Sequence, residues 1–242
     1  TVALPSLAHP SVGTVFADRF EIRALLGEGG MGAVYRAHDH ELQEEVALKV
    51  LRREIADVEG TLDRFRREVK LARRVTHQNV ARTYDLGSHE GIRFLTMELI
   101  SGASIARLVG AGKHPSLPEA LRIVAEVARG LGAARAAGVV HRDLKPDNIM
   151  SAQNDRIVIT DFGIARLAEG AHGEGDAHRT IGTVLGTPAY MAPEQVEGGE
   201  VDGRADIYAL GIVLFELLTG KLPLEADTIY ALAAARLVTQ PP

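Results

Sequence analysis

A run of polar side chains between His141 and Asn148 has the composition of a catalytic or binding loop. It holds two acidic residues, two basic residues and one amide within eight positions. Unpaired buried charges are costly, and Pro146 disfavours a helix before it, so we expect a loop rather than a core element. Such a loop gathers charge at one point of the molecule.

Asp161 follows Asn148 by thirteen positions, and the segment between them predicts a small hairpin. Apolar residues at 149–150 and 157–160 flank a polar turn, which is typical of two short strands. The ends of this hairpin would hold the Asn148 amide beside the Asp161 carboxylate, and these hard oxygen donors suit Mg²⁺. Asp143 would then face whatever the metal holds.

The glycine-rich run from Gly27 to Gly32 joins two predicted strands, 20–26 and 33–37. A dinucleotide-binding fingerprint requires its glycines to open a helix, whereas a strand follows these glycines. They are therefore expected to bend a hairpin whose backbone amides can lie over phosphates. The alternative is a plain flexible turn.

Lys49 is a lone charge among apolar neighbours in a predicted strand at 45–51, and it needs a partner. In the next predicted helix, residues 61–74, Glu68 lies beside the apolar face and can accept it. The alternative is that Glu68 merely balances a solvated basic face, since this helix carries many arginines.

Further periodicity and capping signals predict the elements that position these groups. Strands at 80–87 and 92–99 complete a five-stranded antiparallel sheet with one helix. Ser116 and Glu119 form a capping box that opens a helix to about residue 137, directly before the charged loop. Asp202 caps an apolar helix that ends at Leu218 and is expected to be buried, and a last helix covers 224–238. Residues 164–185 predict a mobile loop.

Composition narrows the class of protein. The 242 residues are 46% hydrophobic and 24% charged, which is typical of a globular protein, and the net charge of −5 argues against a nucleic-acid partner. The chain has no cysteine, which fits a reducing, cytoplasmic location. No apolar stretch approaches the roughly 18 residues of a membrane span.

Taken together, the order and spacing of these motifs resemble the catalytic domain of bacterial eukaryotic-like serine/threonine protein kinases, from about Phe20 onward. The resemblance implies an α+β, bilobal fold. The N-lobe, 19–100, would hold the five-stranded sheet and one main helix, and the C-lobe, 101–242, would be mainly helical. Residues 1–18 would be a flexible lead-in.

The resemblance also assigns the residues that would bind ATP. Gly27, Glu28, Gly29 and Gly32 would cover the phosphates, and Lys49, held by Glu68, would pair with the α and β phosphates. The residues that would surround adenine are Val34 and Ala47 above it, Met150 below it, Met97 as gatekeeper, and Glu98 and Ile100 as hinge backbone groups.

By the same resemblance, Asp143 would accept the proton of the substrate hydroxyl and Lys145 would neutralise charge on the transferring phosphoryl group. Asn148 and Asp161 would hold Mg²⁺, with Mn²⁺ as the other candidate. Lys145 and Thr187 match the serine/threonine version of the family rather than the tyrosine version.

Regulation is implied as well. Arg142, directly before Asp143, could pair with a phosphothreonine, for which Thr183 and then Thr180 are the candidates. Partners would be ATP, proteins with accessible Ser or Thr, and a second kinase domain for trans-autophosphorylation. A membrane span outside this chain could anchor the full-length protein.

One departure from the family concerns Glu194 in the run Ala192-Pro193-Glu194, which pairs in relatives with a late arginine. No matching arginine is evident, and the last two family helices are expected to be missing, so the C-lobe would be truncated. Two other functions remain open, a pseudokinase or scaffold and a small-molecule phosphotransferase. Replacement of Lys49, Asp143 or Asp161 would indicate a pseudokinase, and none is replaced.

Overall fold

A computed structural model describes residues 10–30, 32–52, 61–110, 112, 114–162 and 188–239. Within these ranges the strands are β1 Val15–Phe16, β2 Phe20–Gly29, β3 Gly32–Asp39, β4 Glu44–Leu51, β5 Thr83–His89, β6 Ile92–Glu98, β7 Gly102–Ser104, β8 Ile149–Ala152 and β9 Ile157–Ile159. The α-helices are α1 Thr61–Ala72, α2 Ile105–Gly110, α3 Leu117–Ala136, α4 Pro193–Glu197, α5 Gly203–Thr219 and α6 Ile229–Val238. Short 3₁₀ turns lie at Pro146–Asn148 and Pro188–Tyr190.

The first six strands form one antiparallel sheet in the order β1-β2-β3-β4-β6-β5. This corrects the predicted count of five, because Val15 and Phe16 add a short edge strand that pairs with β2. The Phe16 ring packs edge-on against Phe94 with the ring centroids 5.3 Å apart, which anchors the edge strand to the sheet core. The stretch predicted to be a flexible lead-in therefore contributes a strand to the sheet.

Helix α1 covers one face of this sheet. Val69 is buried with Ala47, Leu95 and Met97. The predicted helix at 61–74 is confirmed with a slightly earlier end at Ala72. The side chains of Leu62 and Phe65, which share its predicted apolar face, lie outside the described residues.

The second layer is helical, and its main contact joins α3 to α5. Ile123 and Val127 of α3 are buried in one cluster with Leu210 and Val213 of α5. The predicted caps are observed, since Ser116 Oγ accepts from the Glu119 N–H at 3.4 Å and Asp202 Oδ1 accepts from the Arg204 N–H at 2.8 Å. These caps satisfy donors that the helices themselves leave unpaired.

The predicted burial of helix α5 is only partly correct. Ala209, Val213 and Leu217 are buried, whereas Ile207 and Leu218 are 55% and 42% exposed. No described helix is long and apolar enough to cross a membrane.

A small three-stranded sheet, in the order β7-β8-β9, lies between the two layers. The predicted hairpin is confirmed as β8 and β9. The sequence pattern did not predict β7, which begins at Gly102, because glycine weakens a strand. The Ile159 carbonyl of β9 accepts the Ala81 N–H at 2.8 Å, and the Ile159 N–H donates to the Asn79 carbonyl at 2.9 Å. These bonds bring the segment after β9 beside the six-stranded sheet.

Candidate active site

The charged loop is anchored by the imidazole of His141, which is fully buried. The Asp143 N–H lies 3.2 Å from Nδ1, and Nε2 lies 2.8 Å from the Thr160 carbonyl oxygen. Because Nδ1 accepts a hydrogen bond, Nε2 must carry the proton and donate to Thr160. The ring also packs edge-on against Phe162, at 4.7 Å between centroids. His141 therefore connects the backbone of Asp143 to the end of β9.

Asp206, in the first turn of α5, fixes the backbone of the same loop through hydrogen bonds. Its carboxylate is 4% exposed and accepts the His141 and Arg142 N–H groups, each at 2.8 Å. Sequence reasoning missed this residue. The available signal was an acidic side chain inside an apolar helix, which requires a buried partner.

Arg142 has a left-handed backbone, with φ of 69°. That conformation is unfavourable for an arginine and persists only when its surroundings hold it. Its N–H is bound by Asp206, and its carbonyl accepts Nε2 of Gln195 at 2.7 Å. The residue before Asp143 is thus held on both sides, and Gln195 is a second residue that the sequence did not reveal.

The structure brings Asp143, Lys145 and Asn148 together. Lys145 Nζ lies 3.0 Å from Asp143 Oδ2, and Asn148 Nδ2 donates to the Asp143 carbonyl at 2.8 Å. The Asn148 carbonyl in turn accepts the Thr160 N–H at 2.9 Å. Because Nδ2 of Asn148 faces an acceptor, its Oδ1 is the amide atom that can serve a metal ion.

Asp161 forms an ion pair with Lys49, with 2.7 Å between Nζ and Oδ1. Burial raises the pKa of the Asp161 carboxyl, but the adjacent Lys49 ammonium, together with more distant groups that include Lys145, outweighs it, and the net pKa lies below its usual value. Asp161 also has a left-handed backbone, with φ of 63°. The ion pair joins β4 of the six-stranded sheet to the segment after β9.

The pairing of Lys49 differs from the sequence expectation. Among the described residues, Lys49 forms its ion pair with Asp161 and not with Glu68 of α1. The Glu68 side chain is half-buried. Glu68 has another interaction partner in this structure. A Lys49–Glu68 pair therefore stays a prediction.

The donor set at Asn148 and Asp161 fits Mg²⁺. The described residues contain no group of three or more His, Cys, Asp or Glu side chains that would hold a metal alone. Mg²⁺ is usually held by one or two protein oxygens and completes its octahedron with waters and phosphate oxygens. One carboxylate and one amide match that pattern better than they match a zinc or calcium site.

The predicted adenine-binding residues lie on β3, β4 and β6 of the six-stranded sheet, on the segment after β6, and on β8. Ala47 of β4 pairs directly with Met97 of β6, and both are buried. The residues Val34, Glu98, Ile100 and Met150 are half-buried. At the open end of the sheet, Gly27, Glu28 and Gly29 are exposed and Gly32 is buried. The glycines bend a hairpin between β2 and β3, as predicted, rather than opening a helix.

The predicted regulatory and specificity threonines, Thr180, Thr183 and Thr187, lie outside the described residues. The segment that follows them is held by two contacts. Tyr190 donates its hydroxyl to Glu216 of α5 at 2.6 Å, and burial together with this bond raises the pKa of Tyr190. Arg236 of α6, 3% exposed, donates to the Ala189 carbonyl. Arg236 was missed in the sequence, and its described hydrogen bonds do not include Glu194.

Comparison with known proteins places this geometry in a family. A model described as protein kinase domain matches residues 20–239. The chain is 40% identical over 236 residues to the serine/threonine-protein kinase pkn3 of Myxococcus xanthus, covering 96% of this chain and 43% of that protein. It is 41% identical over 236 residues to the serine/threonine-protein kinase PknD of Mycobacterium tuberculosis, covering 97% of this chain and 34% of that protein. The chain thus spans less than half the length of these curated relatives.

Solved structures agree. The crystal structure of the Mycobacterium tuberculosis PknI kinase domain superposes with a TM-score of 0.72 at 28% identity, covering 96% of this chain and 93% of that one. The family implies use of ATP and a divalent metal ion with protein substrates. From the family match and the bilobal α+β fold, the chain belongs to the protein kinase domain family.

Proposed function

We propose that this chain is a catalytic domain that transfers the γ-phosphoryl group of ATP to Ser and Thr hydroxyls of proteins. The observation that carries the proposal is the convergence of Asp143, Lys145 and Asn148 on one point, supported from behind by Asp206. Phosphoryl transfer has a loose transition state, so catalysis depends mainly on positioning and charge neutralisation. A rigid carboxylate beside an ammonium group meets both needs.

In the proposed reaction, the substrate hydroxyl oxygen forms a bond to the γ phosphorus while the bond from that phosphorus to the bridging oxygen of ADP breaks. Asp143 accepts the hydroxyl proton. Lys145, 3.0 Å from Asp143, neutralises charge on the transferring group. No covalent intermediate forms on the catalysing copy, so the named residues only orient, neutralise and carry a proton.

Nucleotide binding is assigned to the cleft between the layers. The glycine hairpin with Gly27, Glu28, Gly29 and Gly32 would cover the phosphates, and Lys49 would pair with two of them. Asn148 and Asp161 would hold Mg²⁺, with Mn²⁺ as the alternative, and the ion would neutralise phosphate charge. Residues 19–100 would then act as the N-lobe and 101–242 as the C-lobe.

Regulation is proposed to act through phosphorylation. A phosphate on Thr183 or Thr180 would pair with Arg142, whose backbone is already fixed by Asp206 and Gln195. Phosphorylation would then stabilise the loop without moving Asp143. One copy of the domain would transfer the γ-phosphoryl group of its bound ATP to the threonine of a second copy, leaving ADP on the first.

The test is transfer of ³²P from labelled ATP to a basic peptide substrate with Ser or Thr, comparing the wild type with Asp143→Asn. We expect transfer by the wild type and a loss of at least about a thousandfold in the variant, since the proton acceptor and the anchor of Lys145 are lost. ATP binding without transfer in the wild type would indicate a pseudokinase instead. Transfer to a small metabolite but not to the peptide would indicate the other phosphotransferase class.

Trans-autophosphorylation is tested by mixing. Active enzyme is incubated with a longer, catalytically inactive Asp143→Asn copy, and labelled threonines are mapped by mass spectrometry. Label on Thr183 or Thr180 of the inactive copy supports the proposal. Label confined to other residues, or absent from the inactive copy, contradicts it.

A further inference from the structure

An ion pair connects the segment between the layers to the small hairpin. Arg156, in the turn that precedes β9, places Nη2 2.5 Å from Oε1 of Glu98, the last residue of β6. Both side chains are only 30% and 25% exposed, so the pair is partly shielded from water and from salt. Neither residue takes part in the proton transfer or the metal site.

The carboxylate of Glu98 is held from a second side. Its Oε2 accepts the Arg82 N–H at 3.2 Å, and the Glu98 N–H donates to the Arg82 carbonyl at 2.8 Å. Both carboxylate oxygens are therefore committed, one to the sheet and one to the hairpin. Arg156 supplies the hairpin side of this arrangement.

The same turn also binds the other end of the connecting segment. Gln153 donates its N–H to the Ser101 carbonyl at 3.0 Å, and Gly102 pairs with Ala152 directly afterwards. Residues 99 and 100 are thus bracketed between a side-chain contact at Glu98 and a backbone contact at Ser101. Both contacts lead to the β8–β9 turn.

We infer that Arg156 is a positioning residue for nucleotide binding, and that its ion pair with Glu98 holds the connecting segment 98–101 in the geometry that receives adenine. The inference rests on the proposed function, which assigns the backbone of this segment to adenine. Arg156 acts through Glu98 and does not contact the nucleotide. Its role is therefore distinct from that of the residues that line the cleft.

Partial burial of the Arg156 guanidinium makes the loss of its ion pair with Glu98 costly. Nε of Arg156 is buried and has no hydrogen-bond partner in the described part of the chain. Glu98 is its only carboxylate partner there. A partly desolvated charge that loses its one counter-ion is costly, so removing either member should release the segment rather than leave it in place.

The test compares Arg156→Gln, Glu98→Gln and the double variant. The matched control is Arg122→Gln, because Arg122 donates to the Asp155 carbonyl of the same turn at 3.0 Å and pairs with Glu126 instead of the connecting segment. Calorimetry with Mg-ATP gives the Kd, and steady-state kinetics give kcat and the KM for ATP and for peptide. All assays are run below the lowest Tm of the set.

We expect each single variant to raise the Kd and KM for ATP about threefold to tenfold, as for loss of a partly exposed charged hydrogen bond. The peptide KM and kcat of each single variant should stay within twofold of the wild type. The double variant should bind ATP no more weakly than either single variant. Arg122→Gln should have the same Kd and KM for ATP as the wild type. An ATP Kd within twofold of wild type in Arg156→Gln overturns the inference. So does equal weakening in Arg122→Gln. A wild type that does not bind ATP would instead refute the proposed function.

Discussion

The ammonium nitrogen of Lys49 lies 2.7 Å from Oδ1 of Asp161, joining the six-stranded sheet to the segment that follows β9. Lys49 is 9% exposed and Asp161 is 26% exposed. Removing one of these two charges should therefore cost more free energy than removing one member of a surface ion pair. The same two residues are assigned to phosphate and metal in the proposed function. The ion pair therefore keeps both charges balanced within the protein itself.

The first prediction concerns acid stability. The pKa of Asp161 lies below its usual value, so the unfolded chain binds this proton more readily than the folded chain. The stabilisation is fully present above the ordinary aspartate pKa of about 3.9 and is lost as pH falls through the lower folded pKa. In Asp161→Asn this contribution is absent.

Urea unfolding of the wild type and Asp161→Asn between pH 7 and pH 3 checks this prediction. The difference in unfolding free energy should be constant near neutrality and should shrink below about pH 4. Lys49→Met serves as the matched variant. It removes the cation that lowers the pKa of Asp161 and leaves the burial that raises it, so the loss of stability below about pH 4 should disappear in this background. A difference that stays constant down to pH 3 would contradict the assignment.

The second prediction concerns Asp206→Asn. The carboxylate accepts two backbone N–H groups, from His141 and Arg142, whereas an amide has only one oxygen and would turn its NH₂ toward the other donor. We expect a loss of about 2–4 kcal/mol in unfolding free energy and at least a tenfold fall in kcat, because the backbone before Asp143 shifts.

Asp202→Asn is the matched control for this change. It makes the same substitution on the same helix, at an exposed N-cap where Asn caps as well as Asp. Its stability and kcat should stay close to wild type. If both variants behave alike by chemical denaturation and by initial rates, Asp206 has no special role in fixing the loop.

The third prediction separates two glycines of the same hairpin. Gly32 has φ of 145°, and a Cβ there would lie 2.0 Å from the Val50 carbonyl oxygen, whereas a Cβ at Gly29 would meet nothing within 4 Å. Gly32→Ala should therefore lower the Tm, since the backbone of β3 or β4 must move. Gly29→Ala should leave the Tm within about a degree or two and act, if at all, on the affinity for ATP. Thermal unfolding monitored by circular dichroism distinguishes them, and an equal Tm for both variants would refute this reading of Gly32.

Much of this architecture was accessible from sequence because its signals are local. The hairpin that connects Asn148 to Asp161, the cap at Ser116 and the cap at Asp202 each depend on residues within a few positions of one another. The choice of Asp161 as partner of Lys49 was not accessible. It depends on residues 112 positions apart and on how β9 approaches the sheet.

Asp206 and Arg236 were missed for a related reason. Each is a charged side chain in a mainly apolar helix, and a helical pattern alone does not say which backbone group such a charge will meet. Asp206 meets two N–H groups of a loop that precedes it by more than sixty positions. Only the packing of α5 under the loop reveals the partner.

The last prediction concerns Arg236, which is 3% exposed on α6. Its guanidinium donates to the Ala189 carbonyl and to the Tyr208 hydroxyl, and it lies 5.8 Å from the centroid of the Tyr208 ring. Arg236→Met would leave two acceptors without this donor, and Arg236→Lys would keep a buried cation that cannot span both. We expect each to lower the unfolding free energy by about 1–3 kcal/mol, with Lys at least as harmful as Met. Chemical denaturation measures the loss of unfolding free energy.

Arg204→Met, at an exposed arginine of α5, is the control and should change the unfolding free energy by no more than about 0.5 kcal/mol. A Lys variant as stable as the wild type would mean that the two-acceptor geometry of the guanidinium does not hold this segment.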